Sequence, residues 1–173
     1  CYDKLGTYAQ MNPPIRDKSH YDRLWYAVKN NLNDTIGSDH APHLKKNKEK
    51  VYPNSPSGMP GVQTLMPVML NHVNAGKLSI NQLINFVCEN PVKIFGIKNK
   101  GFIKENYDAD FTIVDMNKKI IIKNENIESK CKWSPFNNNE FKGTPVATII
   151  AGKIKMKDGE ILGDPDGSPL IFN

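Results

Sequence analysis

The sequence predicts an α/β chain in which helices come first and strands second. Three observations carry that reading. Apolar residues recur every three or four positions as far as about residue 97. After about residue 101 short β-rich runs take over, separated by turn dipeptides. Between two helical stretches stands one short apolar segment, Thr35 to Ser38, that ends abruptly in an aspartate and two histidines. With 173 residues, 39% of them apolar, the chain can bury a globular core as one medium domain or two small ones.

Taken in order, the first helix is expected from about Ser19, because Tyr21, Leu24, Trp25, Val28 and Leu32 share a helical face and Asp17 or Ser19 can cap its start. Asn33 and Asp34 should end it. Thr35 to Ser38 reads as a short buried strand, followed by a long Lys-, Asn-, Pro- and Gly-rich loop to Gly61, a length that points to function or disorder. Val62, Leu65, Met66, Met69, Leu70 and Val73 mark a second helix closed by Gly76, with Pro67 tolerable only near its first turn. Ser79 should cap a third, and Asn90-Pro91 should open a short fourth. "DFTIVD" and "KIIIK" read as strands, and "VATIIAGKIKMKDGEIL" as hairpins turning at Ala151-Gly152 and Asp158-Gly159. A boundary near residues 98–101 divides the helical part, 1–97, from the β part, 98–173.

A formal charge of +5 raises the question of an anionic partner, but the lysines are spread along the chain and often stand beside acids, as in "LKKNKEK". That pattern describes a solvated basic surface, and no base-stacking aromatic motif accompanies it, so nucleic acid is set aside. Cys1, Cys88 and Cys131 form neither a C-x-x-C pair nor a disulfide framework, which fits a reducing cytoplasm. No apolar run nears the roughly 18 residues that span a bilayer, and residues 1–10 lack the features of a signal peptide. The first residue is not methionine, so position 1 is not expected to be where the gene product begins.

A helix, a short strand with polar residues at its C-terminal end, a long loop and another helix make one βα step. A (β/α)8 barrel and a doubly wound sheet both use that step, and both collect chemistry on the loops after the strands. Asp39 stands where strand becomes loop. Its carboxylate could bind a metal or take a proton, or it could cap the turn that follows. His40 and His43 are three apart with Pro42 between them, which is not the helical zinc spacing; His40 reads as a hydrogen-bonding residue, whereas His43 could reach a ligand held at Asp39. In "MNPPIR", Pro13-Pro14 presents Asn12 and Arg16 at either end of a stiff segment, as an amide and a guanidinium suited to an amide edge or a carboxylate, or as solvated ends of a connector. In "SPSGMPG", Gly58 could bring bare backbone groups to a ligand, or be a flexible tip.

These pieces, in this order, resemble the dihydroorotases of the metal-dependent amidohydrolase superfamily. The segments that carry the resemblance are "NPPIR", "SDHAPH", "SGMPGVQTLMPVML", "ENPVKIFGI", "YDADFTIVD", "SPFNNNEFKGTPVATIIAGK" and "GEILG", which cover essentially the whole chain. Hydantoinases and allantoinases share the Asp-containing turn but are not expected to have His at position 43.

The resemblance implies the C-terminal part of a (β/α)8 TIM-like barrel in 1–97, followed in 98–173 by strands of a β-sandwich domain. It implies reversible hydrolysis of the cyclic amide of dihydroorotate to N-carbamoyl-aspartate in pyrimidine synthesis, with Zn2+, one or two per site, as cofactor. Asp39 matches the aspartate that binds one metal and shuttles a proton to the leaving nitrogen. Asn12 and His43 match substrate contacts, and the Ser57-Gly58 backbone matches the loop that hydrogen-bonds the ring. The family's H-x-H pair, carboxylated lysine and other ligands have no counterpart here, and a full barrel takes about 250 residues. An N-terminal portion of the same enzyme is therefore the expected partner, with a homo-oligomer and aspartate transcarbamoylase as further candidates. A non-catalytic homologue, or a cyclic amidohydrolase acting on hydantoin or allantoin, are the competing readings.

Overall fold

The structure, a computed structural model, describes residues 1–173. Two short turns, α1 (Tyr2–Leu5) and a 3-10 turn (Gly6–Ala9), precede α2 (Lys18–Lys29). Asp17 caps α2: its carboxylate accepts the Ser19 N–H at 2.9 Å and the Ser19 hydroxyl at 2.6 Å. Of the expected apolar face, Trp25 and Val28 pack on the core, whereas Tyr21, Leu24 and Leu32 are exposed. The helix stops at Lys29, short of the expected Asn33, because Asn31 takes a left-handed φ of 54°.

Residues 35–38, expected as a strand, form no ladder. The Ile36 N–H donates to the Phe86 carbonyl at 3.3 Å, and the first bridge along the segment is His40 with Met59. A strand exists through its partner, and residues 35–38 share no ladder of hydrogen bonds with a neighbouring segment.

The second expected helix is α4 (Leu65–Asn74), after a short α3 (Lys45–Lys48) within the long loop. Pro67 sits in its first turn, where the missing N–H costs nothing. Ser79 caps α5 (Ile80–Ile84) in a reciprocal box: its hydroxyl accepts the Gln82 N–H at 3.1 Å, and the Gln82 side chain accepts the Ser79 N–H at 2.9 Å. The fourth helix departs from expectation in one respect. It begins at Asn90-Pro91, as expected, but Asn90 is not a cap: α5 runs through a π turn (Asn85–Glu89) directly into α6 (Asn90–Phe95). An α-helical register would drive the Pro91 ring against the carbonyl four residues back, and the wider π turn before it gives the ring room. The Asn90 amide instead donates to the Asp34 carbonyl at 2.8 Å.

The β part is one antiparallel sheet in the order β1 (Phe111–Ile121), β2 (Glu140–Ile150), β3 (Lys153–Lys157), β4 (Glu160–Ile161). "DFTIVD" and "KIIIK" lie on this single strand β1, separated by a register shift between Asp115 and Lys119. Asp115 makes the shift: its carboxylate accepts the N–H groups of Asn117 (2.8 Å) and Lys118 (3.1 Å), which leave the ladder. Both expected hairpin turns form, with positive φ at both residues of Ala151-Gly152 and of Asp158-Gly159. Pro145 is tolerated in β2 because β3 begins to pair only at Ala147.

The main core joins the two parts. Leu70, Leu78, Leu83 and Phe86 are buried, with Val114 and Met116 of β1 packed against them. Helix α4 also docks on the sheet through polar contacts. The Asn74 amide nitrogen lies within hydrogen-bonding distance of the carbonyls of Leu70 (3.2 Å), Met116 (3.0 Å) and Lys142 (3.0 Å), and Asn71 accepts the Lys142 N–H at 3.0 Å. A smaller cluster holds Ile122, Ile127 and Phe141.

The accessible surface is 11582 Å². Surface scaling for a compact monomer of 19.5 kDa gives about 8,500 Å². The excess includes large apolar side chains such as Leu24, Val51, Ile103 and Ile161. No helix is long and apolar enough to cross a membrane.

Candidate active site

The polar residues singled out in the sequence lie on three segments that hydrogen bonds tie together: 10–12, 39–43 and 55–61. The Gly58 N–H donates to the Gln10 carbonyl at 2.9 Å, two residues before Asn12. The Ala41 N–H donates to the Met59 carbonyl at 3.0 Å. His43 Nε2 lies 3.0 Å from the Ser57 carbonyl. The 55–61 segment is thus laced between the other two.

Asp39 has a left-handed φ of 45° and is exposed. Its carboxylate makes no hydrogen bond or ion pair within the chain, so the turn-capping reading finds no support, whereas both neighbouring histidines are engaged. His40 Nδ1 accepts the N–H groups of Gly61 (3.0 Å) and Val62 (3.3 Å), a main-chain brace that fits its hydrogen-bonding reading. Asn12 and Arg16 are exposed, with side chains that make no hydrogen bond in the chain, and the Asn12–Pro13 peptide is cis.

Of the Ser57-Gly58 backbone, the Ser57 carbonyl and the Gly58 N–H are already used internally. The Ser57 N–H and the Gly58 carbonyl have no partner, which leaves one donor and one acceptor, the complement of an amide edge. Gly58 must be glycine. Its φ is 131°, and a Cβ there would stand 2.7 Å from both Cβ and O of Ala41 and 3.2 Å from His43 Nε2.

Three residues support this region that nothing in the sequence singled out. Lys48 is fully buried, and its ammonium donates to the carbonyls of Pro56 (2.8 Å) and Gln10 (3.2 Å); burial pulls its pKa down. Trp133, 2% exposed, donates its indole N–H to the His43 carbonyl at 2.7 Å. Tyr8 meets the Trp133 ring edge to face at 4.9 Å and donates its hydroxyl to Glu49 at 2.8 Å; burial, then the Glu49 carboxylate, push the Tyr8 pKa up to about 12. In the sequence Lys48 is one lysine of a polar run, and Trp133 in "KWSPF" belongs to no motif that would mark its role.

A cleft of about 880 Å³ opens elsewhere, between 60–67 and the sheet; His40 reaches its wall, but Asn12, Asp39, His43, Ser57 and Gly58 do not. No three His, Cys, Asp or Glu side chains converge to hold a metal. A carboxylate without an internal donor fits a cation ligand, so Asp39 is a side chain here that could contribute one ligand to a metal.

Residues 15–155 match the Amidohydrolase family. The chain belongs to that family. This amidohydrolase is 39% identical over 162 residues to the dihydroorotase of Methanosphaera stadtmanae, an alignment covering 92% of this chain and 37% of the relative. It is 38% identical over 170 residues to the dihydroorotase of Pyrococcus furiosus, covering 98% and 39%. Among solved structures, the L-hydantoinase (dihydropyrimidinase) from Arthrobacter aurescens superposes with a TM-score of 0.90 at 35% identity, covering 94% of this chain and 37% of that one. The chain therefore spans under two-fifths of the length of these relatives. Its fold is a part of the larger α/β barrel-type fold of the amidohydrolases, here with the antiparallel sheet attached.

Proposed function

We propose that this amidohydrolase chain is part of a dihydroorotase, which opens the cyclic amide of (S)-dihydroorotate reversibly to N-carbamoyl-L-aspartate in pyrimidine synthesis in the cytoplasm. The observation that carries the reading is a bare carboxylate, Asp39, on a loop whose two histidines are both occupied in holding the 57–62 segment. In this role Asp39 takes the proton released as water adds to the ring carbonyl and returns it to the leaving ring nitrogen. The free Ser57 N–H and Gly58 carbonyl read the amide edge of the ring. Asn12 contacts the substrate, and so does His43 through its Nδ1 edge, Nε2 being bonded to Ser57, with that edge facing the substrate carboxylate.

Asp39 would hold Zn2+ together with ligands outside this chain, and the metal would supply Lewis acidity and a bound water acidified to about pKa 7. Residues 1–97 form the closing segment of the barrel and 98–173 the C-terminal strands of a composite sandwich. The exposed apolar surface fits cover by the rest of the same polypeptide. Further assembly, as a homo-oligomer or with aspartate transcarbamoylase, belongs to that complete protein.

A second reading is a hydantoinase, favoured by the 0.90 TM-score to the Arthrobacter enzyme. Hydantoin carries no carboxylate for His43, so the two readings separate by substrate. The test is ultraviolet absorbance of ring opening in the full-length protein, with dihydroorotate and hydantoin compared. Dihydroorotate should be preferred, and Asp39→Ala should lose about 10²–10⁴-fold in rate, together with bound zinc. Equal rates in wild type and D39A would remove the proposed role of Asp39, and preference for hydantoin would replace the substrate.

A further inference from the structure

Lys48 is the most deeply buried cation in the chain, and it faces no carboxylate. The salt bridges of the chain run through other lysines, between Lys100 and Asp108/Asp110 or between Lys153/Lys155 and Asp166, for example. Burying an ammonium is costly unless its protons are bonded, so a lysine sent inward from a run of solvated ones needs a compensating contact. Here the contacts are two main-chain carbonyls, of Pro56 and of Gln10, 46 residues apart in number and adjacent in space.

Other bonds converge on the same point. The Lys48 carbonyl accepts the hydroxyls of Thr7 and of Ser55, the latter at 3.1 Å. The Gln10 amide donates to the Ser55 carbonyl at 2.8 Å, and the Gln10 carbonyl, already bonded by Lys48, also accepts the Gly58 N–H at 2.9 Å. One side chain therefore fixes the entry to Ser57-Gly58 from one side and the approach to Asn12 from the other.

We propose that Lys48 is a positioning residue for the substrate loop: its ammonium pins the Pro56 and Gln10 carbonyls so that the Ser57 N–H, the Gly58 carbonyl and Asn12 stand together against a cyclic amide. The substrate part of this inference rests on the function proposed above; the loop part does not. Lys48 touches no reacting atom. Its loss should therefore weaken ring binding and leave the proton transfer at Asp39 largely intact.

The experiment uses the full-length protein with Lys48→Met, which keeps the apolar stem and removes the donors. Two readouts are taken: steady-state kinetics on dihydroorotate, and hydrogen exchange of the Gly58 amide, which is bonded to Gln10. Lys48→Met should raise KM about tenfold, the size expected for losing charged hydrogen bonds, with kcat within about threefold and zinc content unchanged. Gly58 should lose protection relative to amides in α4. Unchanged KM and unchanged Gly58 protection would overturn the proposal, as would a fall in kcat with KM unmoved. Should K48M fail to fold, Ser55→Ala loosens the same lysine more gently and must shift both readouts in the same direction. If wild type does not turn over dihydroorotate, the functional reading falls, and Gly58 exchange alone decides the role of Lys48.

Discussion

The indole N–H of Trp133 donates to the main-chain carbonyl of His43 across 2.7 Å, so a residue ninety positions later in the chain sets the height of the loop that carries Asp39. The ring is almost fully buried, with Tyr8 against it edge to face. Trp133→Phe keeps the stacking and strands the carbonyl. The expected cost is about 1–3 kcal/mol of stability, read from the denaturant midpoint, along with a higher KM. Trp133→Ala should cost about 3–5 kcal/mol. Wild-type stability in W133F would show that the bond contributes nothing.

Gly58 offers a sharper test, because the obstacle is steric on both counts: backbone angle and space. Gly58→Ala should destabilise the full-length protein by about 1–3 kcal/mol and cost most of the activity, since the new methyl can be placed only by moving Ala41 or the His43 ring. A G58A protein with normal KM and kcat would show that the loop need not hold this shape.

The tyrosines should separate in an alkaline titration followed by phenolate absorbance. Tyr21 ionises early, because the Lys77 ammonium donates to its oxygen at 2.5 Å and favours the charged form. Tyr8 ionises late, near pH 12, held back by burial and then by Glu49. The sign for stability follows from the raised value. A group whose folded pKa lies above its ordinary 10.0 contributes fully below pH 10, and that contribution is lost as pH rises towards 12. Tyr8→Phe should remove the latest-titrating phenol from the curve and leave the Tyr21 step in place.

Leu70 is fully buried where α4 meets the sheet. Leu70→Ala should cost about 2–5 kcal/mol, seen as a lower denaturation midpoint, whereas Leu24→Ala on the exposed face of α2 should change it by less than about 0.5 kcal/mol in this chain. A larger effect of L24A in the full-length protein would report that other polypeptide covers α2.

What could be read from the sequence was what local chemistry decides. Asp17 and Ser79 announce their helices because a cap satisfies its own neighbours, and the two hairpin turns announce themselves because only certain residues accept their φ values. Gly58 and Asp39 each kept two readings in the sequence, because what surrounds them, Ala41 and His43 for Gly58, comes from other segments. The Thr35–Ser38 strand failed because pairing is a property of two segments. The continuity of α5 with α6 was hidden because a π turn has no composition of its own, and Pro91 reads as a start wherever it falls. Lys48 and Trp133 were illegible for a further reason: their partners, Gln10, Pro56 and His43, are main-chain atoms, which every residue owns and no residue type advertises.

The hold of α4 on the sheet runs through the Asn74 amide nitrogen, set among three carbonyl oxygens. Asn74→Asp would exchange that donor group for an oxygen and leave an acceptor facing carbonyl oxygens that the two amide hydrogens had served. The joint between helix and strand therefore depends on one nitrogen atom, and a single change of amide to carboxylate is enough to set the two elements against each other.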